Sequence, residues 1–352
     1  MLFHNHKYTL GCDISDDSIK MVQLRAARKR NKLISYNRVR LSEGIIQDGE
    51  IKKVDEFIKV LKKLIKNIYE KKLLTKNINV NIPDAKSFIK LLQIKNTDDE
   101  DLPHQIKKEL GKHLPMDLNE MYFDYAIIKR DNNKLVCLVA AAPKETSDSY
   151  YNAFKKCGLD VLSLEIESLA LTRALAGGDL SKPLLLLDFG HSRSTLTVID
   201  KNSIQLSLSI PLTGDHINQT IAEKLKIKVE QAEKAKITCG LVKDKCKGAL
   251  PIVLNSAMDE LAFKIEDAIT FYQSENKNAS HFSQIIITGG GANFLNIENV
   301  LKEKTKREII QGTSTLKINI EPVQKELSTH NDTLHFLTLA CGLALKDEKD
   351  NL

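Results

Sequence analysis

The chain contains no tryptophan, and its six cysteines form neither a Cys-x-x-Cys pair nor a His/Cys cluster with zinc spacing. A zinc module and a thioredoxin-like redox motif are therefore set aside. Reduced cytosolic thiols are expected at Cys12, Cys137, Cys157, Cys239, Cys246 and Cys341. No uninterrupted apolar run approaches the roughly 18 residues that a spanning helix needs, so no membrane span is expected. The first ten residues have no apolar core, so no signal peptide is expected either. Any link to a membrane is expected to run only through a partner. Clustered basic residues with aromatics between them do not stand out, which argues against a nucleic-acid groove. The 52 basic and 46 acidic residues leave a net charge of +6, and their interleaving reads as a solvated, lysine-rich surface.

At 352 residues the chain exceeds the roughly 250–300 residues at which single cores stop growing, so two or more cores are expected. Its most informative feature is a device that occurs twice. Gly11 to Lys20 reads Gly-Cys-Asp-Ile-Ser-Asp-Asp-Ser-Ile-Lys, and Leu186 to Thr195 reads Leu-Leu-Asp-Phe-Gly-His-Ser-Arg-Ser-Thr. Each is a strand, a tight polar turn and a second strand, with an Asp (Asp13, Asp188) at the end of the first strand. A third element, Ile-Ile-Ile-Thr-Gly-Gly-Gly-Ala-Asn from Ile285 to Asn293, precedes a helical stretch.

Polyphosphate is held by backbone N–H groups in tight turns built of small residues. Ser15, Asp16, Asp17, Ser18 and Lys20 are the candidates in the first turn. Gly190, His191, Ser192, Arg193 and Ser194 are those in the second. A Mg2+ ion that accompanies ATP takes oxygen ligands, and one or two carboxylates suffice; Asp13 and Asp188 are the candidates. Gly289, Gly290, Gly291 and Asn293, ahead of a helix, suit a nucleoside. Singly, each signal is also that of an ordinary hairpin or tight turn; their joint occurrence in this order points to a bound nucleotide. The extra carboxylates of Asp16 and Asp17 would repel polyphosphate unless an ion or Lys20 offsets them, or unless they point away.

The surrounding pattern is α/β. Three strands over 8–41 lead to a helix with apolar residues from Val54 to Ile68 on one face and lysines 52, 53, 59, 62, 63 and 66 on the other. That basic face suits either plain solvent or an anionic partner. A strand over 77–82 ends at Pro83. An α+β insertion follows, with a strand over 87–94, a helix starting at Thr97 and stopped by Pro115, and a hairpin over 122–141. A helix over 144–157, a strand over 160–165 and a helix over 168–176, closed by Gly177 and Gly178, come next. The second half repeats a three-strand meander over 183–211. Helices over 213–236 and 252–274, a strand over 285–288, a helix over 295–305, a strand over 317–321 and a helix over 334–345 follow.

The order of these motifs resembles that of the superfamily of actin, the Hsp70 chaperones and FtsA. Within it the chain is similar nearly end to end to the PilM family of type IV pilus assembly. The matches include 11–24, 79–83, 105–125, Val139-Ala-Ala-Ala-Pro-Lys-Glu145, Glu165–Ala174 and the closing Ala340-Cys-Gly-Leu-Ala-Leu345. The resemblance implies an actin-like, duplicated ribonuclease H-like α/β fold of two lobes with an inserted α+β 1C (SHS2-like) subdomain. It implies subdomain 1A at 1–82 and 143–185, 1C at 83–142, 2A and 2B at 186–330, and a C-terminal helix returning to 1A at 331–352. Glu233 and Lys236 fall where relatives keep an acid and a lysine near ribose and adenine. Glu167 falls where related ATPases position the attacking water, with Glu165 as a near neighbour.

The resemblance further implies ATP with Mg2+ and at most weak ATPase activity. It implies a cytoplasmic scaffold that docks the tail of a PilN-like inner-membrane protein in a 1A/1C groove, with self-association open. An FtsA-like division scaffold and a GspL-like type II secretion scaffold are the alternatives.

Overall fold

The computed structural model describes residues 8–69, 73–96, 98–114, 116–176, 183–276, 278–329 and 333–346. The chain divides into two units. The first comprises Met1–Ala174, Lys317–Asp332 and Leu339–Leu352, and the second Leu175–Leu316 and Thr333–Thr338.

The first unit opens with an antiparallel meander of β1 (Tyr8–Ile14), β2 (Ser18–Arg25) and β3 (Asn31–Arg40). The short β4 (Ile46–Gln47) and β5 (Glu50–Ile51) turn the chain into α1 (Val54–Tyr69). Phe57, Leu61, Leu64 and Ile68 recur at helical spacing and are buried, while Lys59, Lys62, Lys63 and Lys66 are exposed. β6 (Asn77–Ile82) then pairs parallel with β1. β7 (Phe88–Lys95), α2 (Leu102–Leu110), β8 (Met121–Arg130) and β9 (Lys134–Pro143) follow, and the three strands form a sheet in the order β7-β9-β8. This insertion has its own core, in which Ile106 and Leu110 of α2 pack with Leu92, Leu135 and Val139. α3 (Lys144–Lys156), β10 (Asp160–Ile166) parallel to β6, and α4 (Glu167–Leu175) complete this stretch.

The second unit repeats the plan. β11 (Leu184–Phe189), β12 (Ser194–Asp200) and β13 (Ser203–Ile210) form a second meander. α5 (Gly214–Leu225), α6 (Val229–Cys239), α7 (Ala249–Val253) and α8 (Asn255–Glu275) precede β14 (Gln284–Thr288), which pairs parallel with β11. α9 (Ile297–Thr305), β15 (Glu308–Gln311) and α10 (Gly312–Thr315) follow. Its sheet runs β13-β12-β11-β14-β15, and the first runs β3-β2-β1-β6-β10 with one further strand beyond β3. The two orders are the same: a meander whose first strand is flanked by a later parallel strand. The apolar runs of β11 and β14 suit such central strands, which are covered on both faces.

The chain then returns to the first unit. β16 (Ile318–Asn319) pairs parallel with β3, and α11 (Gln324–Thr329) follows. Residues 317–329, which the expected boundaries place in the 186–330 stretch, thus group by their contacts with the first unit. Last comes α12 (Thr338–Ala344).

Four expectations are corrected. α2 begins at Leu102 rather than at the acidic run, because Asp98 turns the chain first, its carbonyl accepting from the N–H of Asp101 and of Leu102. That helix ends at Leu110; Thr97, Pro115, Gly177 and Gly178 lie outside the described residues. The strand expected over 317–321 shortens to two residues, since Glu321-Pro-Val forms a 3-10 turn, and the last helix starts with a 3-10 turn over Leu334–Leu337. Finally, Cys239 and Cys246 form a disulfide, with Cα atoms 5.8 Å apart, whereas Cys12, Cys137, Cys157 and Cys341 are free thiols. Gly240 ends α6 with φ +56°, and the turn after it brings the second sulfur back.

The closing helix α12 lies against β1 and α4 at contact distance. A Cβ on Gly11 would sit 2.0 Å from the Ala340 carbonyl oxygen, and one on Gly342 would sit 2.1 Å from that of Ala170. Such overpacking typically costs about 1–3 kcal/mol. Gly342→Ala is therefore expected to lower the urea midpoint of the chain by an equivalent amount, measured by circular dichroism; an unchanged midpoint would show that α12 can shift at no cost.

Candidate functional site

Each unit gathers its predicted residues at one end of its sheet. In the first unit the β1–β2 register sets Asp13 opposite Lys20, so both side chains share a face. Lys20 Nζ lies 2.8 Å from Asp13 Oδ2, and both side chains are largely buried. The turn between the strands closes on itself. Ser15 N donates to the Ser18 carbonyl at 2.9 Å, and Ser15 Oγ donates to Asp17 Oδ1 at 2.8 Å and lies 3.1 Å from Ser18 Oγ.

The Asp16 carboxylate points away from the turn. Its oxygens accept from the backbone N–H of Asp48 at 3.1 Å and of Gly49 at 3.0 Å. The repulsion expected from Asp16 is thus diverted into the loop between β4 and β5, and Asp17 is occupied by the Ser15 hydroxyl.

Behind the turn sits Asn81, fully buried in β6. Its Oδ1 accepts from Ile14 N at 2.7 Å, and its Nδ2 donates to the Ile14 carbonyl at 3.0 Å and to Glu167 Oε1 at 2.7 Å. One amide therefore fixes the last residue of β1 and aims the first residue of α4. Glu165 is different. It is buried, and it pairs with Arg173 and with Lys346, 3.2 Å away, which gives it a structural role. Sequence reasoning missed Asn81 as a site residue. The signal was there, since Asn79 and Asn81 are amides in a strand that otherwise reads as core.

In the second unit Phe189 faces Ser194 across the hairpin, which leaves the four-residue turn from Gly190 to Arg193. A Cβ on Gly190 would lie 2.2 Å from the Arg193 carbonyl oxygen, so only glycine allows so tight a turn. His191 is exposed, Ser192 and Arg193 are half-buried, and the Ser194 hydroxyl is buried without a partner.

The N-terminus of α5 is tied to this turn: Gly214 N donates to the Gly190 carbonyl and Asp215 N to that of His191, both at 2.9 Å. Lys236 on α6 reaches the same place, its Nζ donating to the Gly214 carbonyl at 3.0 Å. Burial pushes the Lys236 pKa down, while the charges of Glu233 and Asp215 oppose that shift. Glu233 and Lys236 lie one turn apart on α6.

The glycine turn folds over the end of β11. Asp188 lies opposite Thr288 in the parallel pairing with β14, and Gly289 follows with φ +78°. A Cβ there would sit 2.3 Å from Asp188 Oδ1, and one on Gly291 would sit 2.3 Å from the Phe189 ring. Asp188, the turn from Gly190 to Ser194, Lys236 and the turn from Gly289 to Asn293 are thereby assembled in this unit. Asn293 is held by a weak contact from its Nδ2 to the Gly290 carbonyl at 3.5 Å.

Removing the Asn81 amide would orphan Ile14 N–H and leave Glu167 without this donor. Each buried polar group so orphaned costs about 1–3 kcal/mol. Asn81→Ala is expected to lose at least about 2 kcal/mol in chemical denaturation, whereas unaltered stability would mean that Ile14 finds another partner.

A family model of the type IV pilus assembly protein PilM matches residues 11–348. Among solved structures, the chain is similar to one described as a PilM-PilN type IV pilus biogenesis complex, with a TM-score of 0.80 at 16% identity over 96% of this chain and 97% of that one. It also resembles the ethanolamine utilization protein EutJ from Carboxydothermus hydrogenoformans (TM-score 0.58, 16% identity, 96% and 89% covered). A third is MreB5 of Spiroplasma citri bound to ADP (TM-score 0.51, 13% identity, 96% and 95% covered). The fold is the actin-like one of these proteins. With the match running across both units and both polar turns, the chain belongs to the PilM family of type IV pilus assembly proteins.

Proposed function

We propose that this protein is an ATP-binding scaffold of the type IV pilus assembly machinery that docks the cytoplasmic tail of a PilN-like membrane protein. The observation that carries the reading is the twin arrangement: each sheet ends its first strand in an Asp beside a tight polar turn. The solved relative described as a PilM-PilN complex supports the partner. The MreB5 structures, described as bound to ADP and to AMPPNP, support the nucleotide.

The residues fit Mg-ATP. Asp13 in the first unit and Asp188 in the second each offer the kind of hard oxygen ligand that Mg2+ accepts, directly or through water. Gly289 and Gly291 let the glycine turn press directly onto Asp188 and Phe189, where any side chain would collide, and so hold that turn beside Asp188 as the candidate nucleoside contact. Lys20 is held beside Asp13 and so can meet a terminal phosphate, and Glu233 can accept from ribose hydroxyls. When bound, Mg2+ supplies charge neutralisation of the phosphates. The protein's own part is to hold the turns rigid through the Asn81 amide and the α5 N-terminus. Glu167, aimed by Asn81, is the residue best placed to orient a water, consistent with at most slow turnover.

The inserted 83–142 unit, taken as 1C beside a 1A formed by 1–82 and 143–185, is the docking region in this reading. Among the described residues β8 pairs with a strand on one side only, and it exposes Tyr122 and Ile127. An extended tail can add to such an edge through main-chain hydrogen bonds.

Calorimetry with Mg-ATP is expected to show binding to the wild-type chain and none to Asp188→Ala, with Asp16→Asn close to wild type because that carboxylate faces the β4–β5 loop. Unchanged affinity in Asp188→Ala would remove that residue from the site. A synthetic tail peptide of the membrane partner is expected to bind the full chain and not a variant lacking 83–142; equal binding to both would move the docking region elsewhere.

A further inference from the structure

The charge of this chain is interleaved nearly everywhere, with one exception that, past Lys20, lies outside the nucleotide reading. From Ser18 to Ser42 there is no acidic residue, and there are eight basic ones: Lys20, Arg25, Arg28, Lys29, Arg30, Lys32, Arg38 and Arg40. Those from Arg25 to Lys32 concentrate at the tip of the β2–β3 hairpin. Arg28, Lys29 and Arg30 are exposed there, and the Asn31 side chain ties the turn by accepting from Ala27 N at 3.2 Å. Among the described residues no carboxylate pairs with Arg28, Lys29, Arg30 or Lys32.

The tip lies at the end of the first sheet opposite the polar turn. Tyr8, the first residue of β1, pairs with Arg25, while Ile14 pairs with Ile19 beside Ser15. The length of β2 separates the two ends by more than about 20 Å. Lys76 precedes β6 at the same end as the tip, and its carbonyl accepts from Asp160 N. Among the described residues, Asp160 and Glu321 share that end and reduce its charge without cancelling it. Beside the tip is an open groove of about 610 Å³, with Lys29, Arg30 and Lys32 on one wall and Asn319, Glu321 and Gln324 on the other. It pairs cations with amide donors, as a phosphate headgroup requires.

We propose that the β2–β3 hairpin tip is a docking surface for a bilayer carrying anionic phospholipid, a direct contact in addition to any made through a partner and independent of nucleotide binding. A bilayer fits better than a nucleic acid. The residues between the basic ones are Ala26, Ala27 and Asn31, and the Asn31 carbonyl oxygen is engaged by Ala27 N, so between its cations the tip offers no ring to stack on bases. A plane of headgroup phosphates demands only unpaired positive charge on a low, small-residue relief. Each basic residue at such a surface strengthens adsorption by about fivefold, and the attraction fades within a Debye length.

The test uses the full chain and sedimented vesicles of phosphatidylcholine, with or without phosphatidylglycerol. Wild type is expected to pellet with the mixed vesicles, to stay in solution with pure phosphatidylcholine, and to be released by raised salt. The triple variant Arg28→Gln, Lys29→Gln, Arg30→Gln is expected to partition roughly a hundredfold more weakly at unchanged melting temperature. If the triple variant folds poorly, Lys29→Gln with Arg30→Gln decides, with an expected loss of about 25-fold. Wild type that ignores phosphatidylglycerol, a neutralised variant that binds as well as wild type, or duplex DNA that strips the protein from vesicles at physiological salt would each overturn the proposal.

Discussion

Backbone-to-backbone contact around α12 is the constraint on which the first unit depends. A helix can approach a strand and another helix this closely only where no Cβ intervenes, and Gly11 and Gly342 supply those places. Gly11 stands two residues before Asp13, so the strand that carries the first candidate metal ligand is also the one pressed against the closing helix. Asn79 adds a polar clasp at the same contact, its Nδ2 donating to the Leu343 carbonyl at 3.0 Å while its Oδ1 accepts from Ser163 Oγ at 2.8 Å. Arg173 extends the clasp by donating to the Gly342 carbonyl at 2.9 Å and pairing with Glu165. Residues far apart in sequence, near 11, 79, 170 and 342, therefore form one packed layer.

The same logic makes the polar turns rigid. A loop that must receive a highly charged ligand gains from being ordered beforehand, because the ordering cost is then not charged against binding. In the first unit Asn81 extends the β1 ladder with a side chain in place of a strand, and in the second the first N–H groups of α5 do similar work. Two α5 N–H groups are consumed in this way, so they stabilise the turn and are not offered to a phosphate. Lys236 has a related position. Its ammonium is partly buried, and its nearest acceptor is a backbone carbonyl with Glu233 and Asp215 around it. A cation in that setting orders the α5–α6 junction and remains available, at modest desolvation cost, to an anion that arrives.

Much of the fold was legible because its elements are periodic and their ends are punctuated. The strand–turn–strand pairs, the amphipathic α1 and the apolar β14 were read from alternation, spacing and glycine alone. The duplicated sheet order followed from reading the same device twice. What was not legible depends on contacts between distant residues. Nothing local says that Asp16 folds back onto the N–H groups of Asp48 and Gly49, or that Asn81 rather than a backbone strand supports Ile14. The disulfide at Cys239 and Cys246 was missed for the same reason: the spacing matches no motif, and only the turn at Gly240 brings the two together. The acidic run before α2 was read as a helix start because acids favour that position, yet the backbone makes a turn there first.

The distribution of charge along the first sheet carries a final consequence. At the polar-turn end each carboxylate of the turn is committed: Asp13 to Lys20, Asp16 to the Asp48 and Gly49 amides, Asp17 to Ser15. At the hairpin end, among the described residues, no carboxylate pairs with Arg28, Lys29, Arg30 or Lys32. Committed charge fixes geometry, since moving it costs the hydrogen bonds that hold it. Uncommitted charge acts at range, and salt screens it. One sheet thus presents a rigid end suited to a single bound ligand and an adaptable end suited to an extended anionic surface. A charge substitution is therefore expected to alter stability at the first end and association at the second, a difference that follows from pairing rather than from the count of charges.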